Sequence, residues 1–452
     1  MVSPSIVWLR DDLRLADNPA LRAAVDAGGP VVVLYVLDDE SPGIRPLGGA
    51  ARWWLHHSLA SLADRLEAKG ARLVLRRGPA GRVVREAATD AGARAVFWNR
   101  RYGGAEREID TELKTGLRAD GIEVGSFAGS LLFEPWTVKT GAGTHFSVFT
   151  PFWRACLNGL PPRAPLPEPR EIAGPRASIS SDELADWDLL PRHPDWAGGL
   201  RETWEPGEPA ARARLREFLD VDLAAYGRAR DEPAAGATSL LSPRLRWGEL
   251  SPHTVWHEGV AAGGGDRFLS EIGWREFAAH TLFHFPDLAT RNLRPEFDAF
   301  PWPPLDQDRL EAWHQGRTGI ALVDAGMREL WRTGFMHNRV RMVAASFLIK
   351  NLAVDWRLGE QWFWDTLVDA DGASNPFNWQ WVAGSGADAA PYFRIFNPEL
   401  QAKKFDPDGR YVKEWAPEHA SPEPPEPIVD LGATRKAALD AYEKVKAAAR
   451  SR

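Results

Sequence analysis

Residues 268–286, FLSEIGWREFAAHTLFHFP, contain side chains of three different chemistries at helical spacing. In a helix, Glu271, Trp274 and Arg275 lie on one face together with Ala278, because residues three and four apart are neighbours there. A carboxylate, an indole and a guanidinium would then emerge side by side. A surface ion pair beside a core tryptophan would give the same pattern, so both interpretations stay open.

A loop rich in hydroxyl groups suggests an anion site. Thr238, Ser239 and Ser242 in GATSLLSP lie where a loop meets a predicted helix. Hydroxyls and adjacent backbone amides at such a junction can hold a pyrophosphate without a P-loop lysine. A helix N-cap with serine turns explains the same residues, and this stretch alone favours that simpler role.

Residues 333–356, TGFMHNRVRMVAASFLIKNLAVDW, form a positive patch that includes Arg339 and Arg341. Such a patch could meet phosphate. The net charge of −7 argues against a generally basic surface. His337 precedes the predicted helix, where capping explains it better than proton transfer.

Two tryptophans and two aspartates lie close together in residues 367–381. Trp379 and Trp381 are separated by one residue, so they share no helix face and are expected to point in different directions. Asp369 and Asp371 flank one alanine, a spacing that can suggest a metal site. Because no histidine or further carboxylate cluster accompanies them, we expect no metal, and a polar ligand or an arginine partner fits better.

The start of the chain predicts an element that can position such groups. The apolar runs SIVWLR, PVVVLYVLD, ARLVLRRG, RAVFWNR and IEVGSFA alternate with stretches of helical period. This alternation indicates an α/β domain with a doubly wound parallel sheet. No glycine-rich dinucleotide motif or P-loop follows these strands. Ligands of such sheets bind at the carboxyl ends of the strands. The residues expected there are either ligand contacts or ordinary loop residues, namely Asp38, Asp39, Glu40, Asn99, Arg100 and Arg101.

The rest of the chain predicts an all-α domain behind a linker. Proline clusters such as GLPPRAPLPEPREIAGP are typical of a surface connection, and helical spacing replaces the strand signal from about residue 211. We therefore expect an α/β domain over residues 1–130, a linker over 131–210 and a helical domain over 211–452. A proline-rich spacer and one short helix should end the chain.

Composition narrows the setting in which the protein works. The chain has 452 residues, enough for two or three domains, and a single cysteine, Cys156, which excludes an internal disulfide framework. Its first residues carry charge without an apolar signal core, and no apolar run is long enough to cross a membrane. These features predict a soluble, cytoplasmic protein without a membrane partner, and we expect a monomer.

Ordered motifs along nearly the whole chain resemble the photolyase and cryptochrome flavoproteins. They run from IVWLRDDLRLADNPAL through FSVFTPFWRA, TSLLSP and SEIGWREF to GRTGIALVDAGMRELWRTGFMHNRVRMVAASFLIKNLAVDW and WQWVAGSGADAAPYFRIFNP. The resemblance implies an antenna domain, a long linker and an all-α domain that binds FAD in a U shape. The flavin-binding residues that it implies are Tyr226, Thr238, Ser239, Leu240, Leu241, Ser242, Arg275, Asn338, Arg341, Asp369, Asp371 and Asn375.

Within that family, the residues favour a repair enzyme over a blue-light photoreceptor, which remains the alternative. Asn375 takes the position that faces flavin N5, where plant-type cryptochromes resemble one another in carrying Asp and animal-type ones in carrying Cys. Arg341 is expected to pair with Asp369 beside the isoalloxazine. Six-four photolyases carry a histidine-rich run in place of Met336–Arg339, so the chain looks more like the photolyases that repair cyclobutane pyrimidine dimers.

The resemblance also implies how UV-damaged DNA is bound. Glu271 would contact a flipped pyrimidine and stabilise its radical anion, while two indoles would stack on the extruded bases. Two arginines would contact the flanking phosphates. The predicted DNA contacts are Arg230, Glu271, Trp274, Met336, Asn338, Arg339 and Trp381.

A tryptophan relay and an antenna pigment complete the implied machinery. The relay would run from Trp379 through Trp356 to Trp302, although one extra residue precedes Trp313 compared with the usual family spacing. The stretches GGAARWWLHHSL and LATRNLRPEFDAFPW look like class III dimer photolyases. This likeness favours methenyltetrahydrofolate as the antenna, with a deazaflavin as the alternative. The rival function of a thermal flavin oxidoreductase has no support in this chain, because the chain contains no dinucleotide-binding motif.

Overall fold

The computed structural model describes residues 3–175, 179–389 and 393–450, and the α/β plus all-α architecture is confirmed there. Residues 176–178 of the predicted linker and residues 390–392 of the WQW motif lie outside the described residues.

The N-terminal part contains a parallel five-stranded sheet in the order β3-β2-β1-β4-β5. All residues of the three central strands are buried, because helices pack on both faces of the sheet. The sheet is therefore doubly wound, as predicted. Its elements are β1 Ser5–Leu9, α1 Pro19–Asp26, β2 Val31–Leu37, α2 Gly49–Glu67, β3 Leu73–Arg77, α3 Ala80–Ala91, β4 Ala95–Asn99, α4 Gly104–Ala119 and β5 Glu123–Phe127.

The polar residues at the carboxyl ends of the strands divide into two groups. Asn99 is buried and donates from Nδ2 to Asp12 Oδ2 at 2.6 Å and to Asn18 Oδ1 at 2.8 Å, so it holds β4 to the loop after β1. Glu40 is exposed. A cavity at this edge of the sheet is lined by Asp38, Asp39, Arg100 and Arg101.

Helices make up the regular structure of the described residues after β5. The segment predicted as a linker contains α5 Phe149–Leu157 and α6 Gly198–Thr203. A 3-10 turn precedes α6, and further 3-10 and π-helical turns join some of the later helices. Those later helices are α7 Glu208–Glu217, α8 Leu223–Ala229, α9 Ser242–Arg246, α10 Pro252–Ala261, α11 Asp266–His284, α12 Gln307–His314, α13 Ala321–Thr333, α14 Asn338–Ser346, α15 Trp356–Thr366, α16 Ser374–Ala383, α17 Pro398–Phe405, α18 Arg410–Trp415 and α19 Leu431–Arg450.

The loop after β1 packs directly on the turn between α9 and α10. Leu13 donates its backbone N–H to Trp247 O at 3.1 Å, and Arg14 donates from NH1 to Gly248 O at 2.9 Å. A Cβ on Gly248 would lie 2.1 Å from Asp11 O, and its φ is +62°. Only glycine suits both the positive φ and this close approach, so the α/β part and the helical part are in direct contact at this point.

The last helix of the chain differs from the sequence expectation. The helix expected to be short at the end of the chain, α19, is 20 residues long, because its Ala-rich sequence continues to Arg450. Among the described residues, no helix is long and apolar enough to span a membrane.

Candidate active site

One cavity of about 710 Å³ in the helical part brings together the residues predicted to bind the flavin and the lesion. Its walls come from α8, the loop into α9, α11, the start of α14 and the segment from α15 to α16. Every predicted cofactor and DNA contact lines it, namely Tyr226, Arg230, Thr238, Ser239, Leu240, Leu241, Ser242, Glu271, Trp274, Arg275, Met336, Asn338, Arg339, Arg341, Asp369, Asp371, Asn375 and Trp381.

An ion pair fixes one wall of the cavity. Arg341 donates from NH1 and NH2 to Asp369 Oδ1 and Oδ2 at 3.0 and 2.9 Å, which confirms the predicted pairing. Ser242 Oγ donates to Asp369 Oδ2 at 2.6 Å, and Arg341 Nε donates to Met336 O at 2.6 Å. Because the guanidinium and the carboxylate meet in two parallel bonds, their planes are fixed relative to each other.

The hydroxyl-rich loop before α9 is held from behind by Arg214. This side chain donates from Nε to Ser239 O at 3.0 Å and from NH2 to Thr238 O at 3.0 Å. Leu240 has a positive φ of 54°, an uncommon conformation for a residue with a side chain. With its carbonyls bound to Arg214, the loop keeps Thr238, Ser239 and Ser242 in the lining of the cavity, and Ser239 Oγ also accepts from Leu241 N at 3.4 Å.

Two carboxylates hold the arginines at the cavity mouth. Arg230 donates from NH1 to Glu271 Oε1, and its guanidinium lies 5.2 Å from the ring centre of Tyr226. Arg339 donates from Nε and NH2 to the two carboxylate oxygens of Asp231, both at 3.0 Å. Burial acts to raise the pKa of Asp231, but its bond to Arg339 and the nearby arginine charges hold the pKa below its usual value.

His337 caps α14, as the sequence predicted. Its Nδ1 accepts from Arg339 N at 3.2 Å, and its Nε2 lies 2.9 Å from Arg230 O. Burial lowers the pKa of His337 to about 4. The ring is therefore neutral at pH 7, with the proton on Nε2, and it joins the backbones that carry the two arginines of the mouth.

Trp379 and Trp381 do point in different directions. Trp379 is 2% exposed and packs with its ring centre 4.9 Å from that of Phe363. Trp381 is partly exposed, and the guanidinium of Arg394 lies 5.0 Å from its ring centre. Both indoles line the cavity, so the i, i+2 spacing places one in the core and one near solvent.

Trp274 already has an aromatic partner on one face. Its ring centre lies 3.8 Å from that of Phe149 on α5, with 9° between the planes. A base that stacks on Trp274 therefore has to use the opposite face. The segment predicted as a linker thus contributes directly to the packing of this wall.

Trp356 and Trp302 lie outside the lining of the cavity. Trp356 is 1% exposed and donates from Nε1 to Asn292 Oδ1 at 3.0 Å, and Trp302 is partly buried against the same hydrophobic cluster. Trp379 belongs to this cluster too. The order of a relay through the three indoles stays a prediction.

Asn375 has its amide nitrogen fixed by Glu360. Nδ2 donates to Glu360 O at 3.0 Å and to Glu360 Oε1 at 2.8 Å. The side-chain carbonyl oxygen, Oδ1, is then the atom that can meet a ligand in the cavity.

Family models and known proteins match most of this chain. Residues 5–170 match the family model described as DNA photolyase, and residues 268–424 match the FAD binding domain of DNA photolyase. The deoxyribodipyrimidine photo-lyase of Agrobacterium fabrum is 50% identical, over 98% of this chain and 98% of its own. The chain belongs to the DNA photolyase family.

Other relatives of this photolyase-family chain include a solved photolyase structure and a cryptochrome. The crystal structure of a bacterial class III photolyase from Agrobacterium tumefaciens matches with a TM-score of 0.94 and 49% identity, covering 99% of this chain and 98% of that one. Cryptochrome-1 of Arabidopsis thaliana is 39% identical, over 92% of this chain and 63% of its own length.

The cavity of this photolyase-family protein fits FAD, the cofactor that its family domain binds. Its volume of 710 Å³ lies in the range of about 300–1,000 Å³ that is usual for cofactor sites. Hydroxyls and arginines at the loop before α9 and on α14 suit a pyrophosphate, and an apolar wall suits a flavin ring. That wall includes Ala345, Phe363, Leu367, Trp379 and Val382.

Sequence reasoning missed several residues that shape the site. Met342 lines the cavity and is partly exposed, whereas Met336 is 0% exposed and its Sδ lies 3.3 Å from where a Cβ of Gly326 would be. Met342 is the fourth residue of the helical run RVRMVAASFLIKNLAVDW, three positions after Arg339, and only this spacing in the sequence could have signalled it. Asp231, Arg214 and Glu360 carried no such signal, because Arg339, Thr238 and Asn375, the cavity residues that they bind, lie 108, 24 and 15 positions away.

A second cavity of about 670 Å³ lies between the carboxyl ends of the strands and the helical part. Aromatic rings and charged side chains both line it, among them Trp8, Tyr35 and Arg10. The two cavities share a wall built from Arg246, Arg275, Asp371 and Ser374. Among the residues that the structure describes, no group of three or more His, Cys, Asp or Glu side chains could hold a metal ion.

Proposed function

We propose that this photolyase-family chain is a deoxyribodipyrimidine photo-lyase, an enzyme that splits cyclobutane pyrimidine dimers in DNA under light. The observation that carries this proposal is the single cavity that collects the FAD and lesion contacts expected from the sequence. The relative from Agrobacterium fabrum with this name, 50% identical over almost the full length, supports the same activity.

The residues at the mouth suit a base that has left the duplex. A dimer inside the double helix is out of reach, so it has to flip, at a cost of a few kcal/mol or less for a damaged pair. Trp274 and Trp381 both line the cavity, and each can stabilise a stacked base by about 1–3 kcal/mol. Glu271, held by Arg230, is placed to contact a pyrimidine edge.

FAD bound in its reduced form would supply the electron that opens the cyclobutane ring under light and recover it afterwards. The hydroxyl loop Thr238–Ser242 would hold the pyrophosphate, and the Arg341–Asp369 pair would lie at the flavin ring. The apolar wall excludes water from the reacting groups, which strengthens electrostatic contacts there. The reaction is a lyase reaction without net redox change.

Five further assignments belong to this proposal. Trp379, Trp356 and Trp302 would carry electrons to resting flavin. Met342 joins Met336 as a candidate lesion contact, and its exposure makes it the better one. The expected boundaries at residues 130 and 210 and a cytoplasmic monomer complete the proposal, with size-exclusion chromatography as the test of the oligomeric state.

The second cavity is the proposed site of the antenna pigment. Its aromatic rings can stack on a flat pigment, and its arginines can bind an acidic tail. Methenyltetrahydrofolate is the proposed pigment and a deazaflavin the alternative. An absorption spectrum of the purified protein distinguishes them, because the folate absorbs in the near ultraviolet and the deazaflavin further toward the blue.

Repair of an oligonucleotide that carries one thymine dimer tests the main proposal. The reduced, FAD-loaded protein should restore the two thymines under blue light and leave them dimerised in darkness. A cryptochrome-type photoreceptor is the second candidate, favoured by the 39% identity to Cryptochrome-1. If the illuminated, reduced protein leaves the dimers intact, the result contradicts the repair function and favours the photoreceptor.

A further inference from the structure

Helix α5, with the sequence FTPFWRACL, packs on one face of the Trp274 indole. Phe149 is the first residue of this helix and is 9% exposed. Its ring centre lies 3.8 Å from that of Trp274, with 9° between the planes. Trp274 lines the first cavity and Phe149 does not. The phenyl ring therefore lies behind the indole and leaves the opposite face of the indole to the cavity.

A second ring on α5 lies against the same helix, α11. Trp153 follows Phe149 by four residues, so both side chains lie on one face of α5. Their ring centres are 6.4 Å apart, with 13° between the planes. Trp153 approaches the backbone of α11 so closely that a Cβ on Gly273 would lie 2.7 Å from its ring atoms. The two aromatic residues of α5 thus pack on two consecutive residues of α11, Gly273 and Trp274.

Further rings contact the Trp274 indole at an angle. The ring centre of Phe277 lies 6.2 Å from that of Trp274, with 64° between the planes. The corresponding values for Phe377 on α16 are 6.4 Å and 58°. Stacked and edge-to-face arrangements are the favourable ones for aromatic pairs. With one face covered and two more rings in contact, the plane of the indole is set before any base arrives.

The start of α5 is also tied to the other wall of the cavity mouth. Ser147 O, just before α5, accepts from Asp388 N at 3.0 Å. Asp388 follows α16, the helix that carries Trp381. Helix α5 thus connects the wall that contains Trp274 with the segment that follows Trp381, the second indole expected to stack on the lesion.

We propose that Phe149 is a positioning residue for lesion recognition, which holds the Trp274 indole in the plane on which a flipped base stacks. This inference rests on the proposed binding of the dimer at the cavity mouth. A base gains most from stacking on a ring that is already ordered, because immobilising a side chain during binding costs affinity. The segment between the two domains therefore takes part in the recognition of damage.

The test measures binding in darkness of the FAD-loaded protein to an oligonucleotide with one thymine dimer and to its undamaged counterpart. Phe149→Leu keeps an apolar side chain but removes the flat ring, so the Trp274 indole can tilt. Affinity for the dimer should fall about fivefold, the effect of one side chain that has to be ordered on binding. Affinity for undamaged DNA should stay unchanged, and FAD content is measured on the same samples.

A double-mutant cycle with Trp274→Ala separates positioning from general packing. If Phe149 acts through the indole, Phe149→Leu should not weaken dimer binding further once Trp274 is replaced. Gly273→Ala is an independent variant, because its methyl group displaces Trp153 and with it α5, while alanine favours the helix. This variant should also lower the affinity for the dimer only in the presence of Trp274.

His314→Leu is the matched control. The ring centre of His314 lies 3.9 Å from that of Trp362, with 15° between the planes, and neither residue lines either cavity. The variant removes a ring that is stacked on an indole elsewhere in the helical part. Its affinity for the dimer should equal that of wild type.

Three results would overturn the positioning role of Phe149. The first is wild-type affinity for the dimer in both Phe149→Leu and Gly273→Ala. The second is an equal loss of affinity with and without Trp274. The third is loss of FAD from both variants, which would show that α5 holds the cavity together. A wild-type protein that binds dimer and undamaged DNA equally well would contradict the proposed function instead, before any variant is compared.

Discussion

Arg230 at the end of α8 pairs with Glu271 on α11 and closes one side of the cavity mouth. The pair means that a lesion meets a carboxylate whose position is already set. It also means that one arginine expected to contact phosphate has part of its hydrogen-bonding capacity in use before DNA arrives.

Glu271→Ala should lower the yield of repair per absorbed photon about tenfold, because one hydrogen bond to a charged group stabilises by about 1.5 kcal/mol or more. FAD content should stay at the wild-type level. Repair of a dimer oligonucleotide and the flavin absorbance of the same samples measure both effects. Glu258→Ala on α10, outside the cavity lining, is the control. Loss of FAD from Glu271→Ala would instead show a structural role.

Arg341→Leu should weaken FAD binding at least tenfold. It leaves Asp369, whose side chain is 4% exposed, without its cation, and breaking a buried pair costs about 3–5 kcal/mol. Fluorescence titration of the apoprotein with FAD gives the Kd. Arg357→Leu breaks an arginine–aspartate pair outside the cavity and should bind FAD like wild type. Equal affinities in all three proteins would contradict the proposed place of the flavin.

Replacing the two tryptophans of α16 should have different effects. Trp379→Phe should slow photoreduction of oxidised flavin, while chemically reduced protein repairs normally. Trp381→Ala should weaken binding of dimer-containing DNA about fivefold or more, since a stacked base contributes about 1–3 kcal/mol, and should leave photoreduction intact. Each variant serves as the control for the other. The same defect in both variants would show that the indoles do not divide these tasks.

Arg339→Gln should weaken binding to damaged DNA and make it less sensitive to salt. The slope of log K against log salt concentration should become smaller by about 0.9, the value for one lost phosphate contact. Filter binding at several salt concentrations measures the slope. Arg332→Gln on α13, paired with Glu202 and outside the cavity, should leave it unchanged. An unchanged slope in Arg339→Gln would remove this residue from the DNA contacts.

Glu276 should make the protein less stable as the pH rises from 4.5 to 7. Burial raises the pKa of this carboxyl to about 7. The folded state thus prefers the protonated acid, and its advantage is complete below pH 4.5 and lost as the pH passes 7. Its size is on the order of 3 kcal/mol. Glu276→Gln should therefore unfold at a higher denaturant concentration than wild type at pH 8.

Comparing the unfolding free energies of wild type and Glu276→Gln at several pH values isolates the contribution of Glu276. Glu329, whose pKa burial also raises to about 7, titrates in both proteins, so its contribution cancels in the difference. A free-energy difference between wild type and Glu276→Gln that does not change between pH 5 and pH 8 would show that Glu276 is not the titrating group.

Local sequence patterns were enough to predict most of the architecture and the different directions of the Trp379 and Trp381 side chains. Strand and helix periods act over a few residues, and a spacing of two in a helix separates side chains whatever surrounds them. The pairing of Arg341 with Asp369 was also predictable, but only through the family resemblance. The expected contact by Met336 illustrates the limit, because both Met336 and Met342 line the cavity and only the packing of α14 against α13 makes Met342 the more exposed of the two.

By itself, the sequence determined the doubly wound sheet and the helical second domain, because these follow from hydrophobic period, while the set of residues around one cavity was implied by the family resemblance of its motifs. Apart from the pair of Arg341 and Asp369, which the family resemblance implied, the tertiary structure decided which charges meet. Arg45 and Glu360 are 315 positions apart, and Arg230 and Glu271 are 41 apart. A buried charge needs a partner, but which partner reaches it is set by how the helices and the two domains pack.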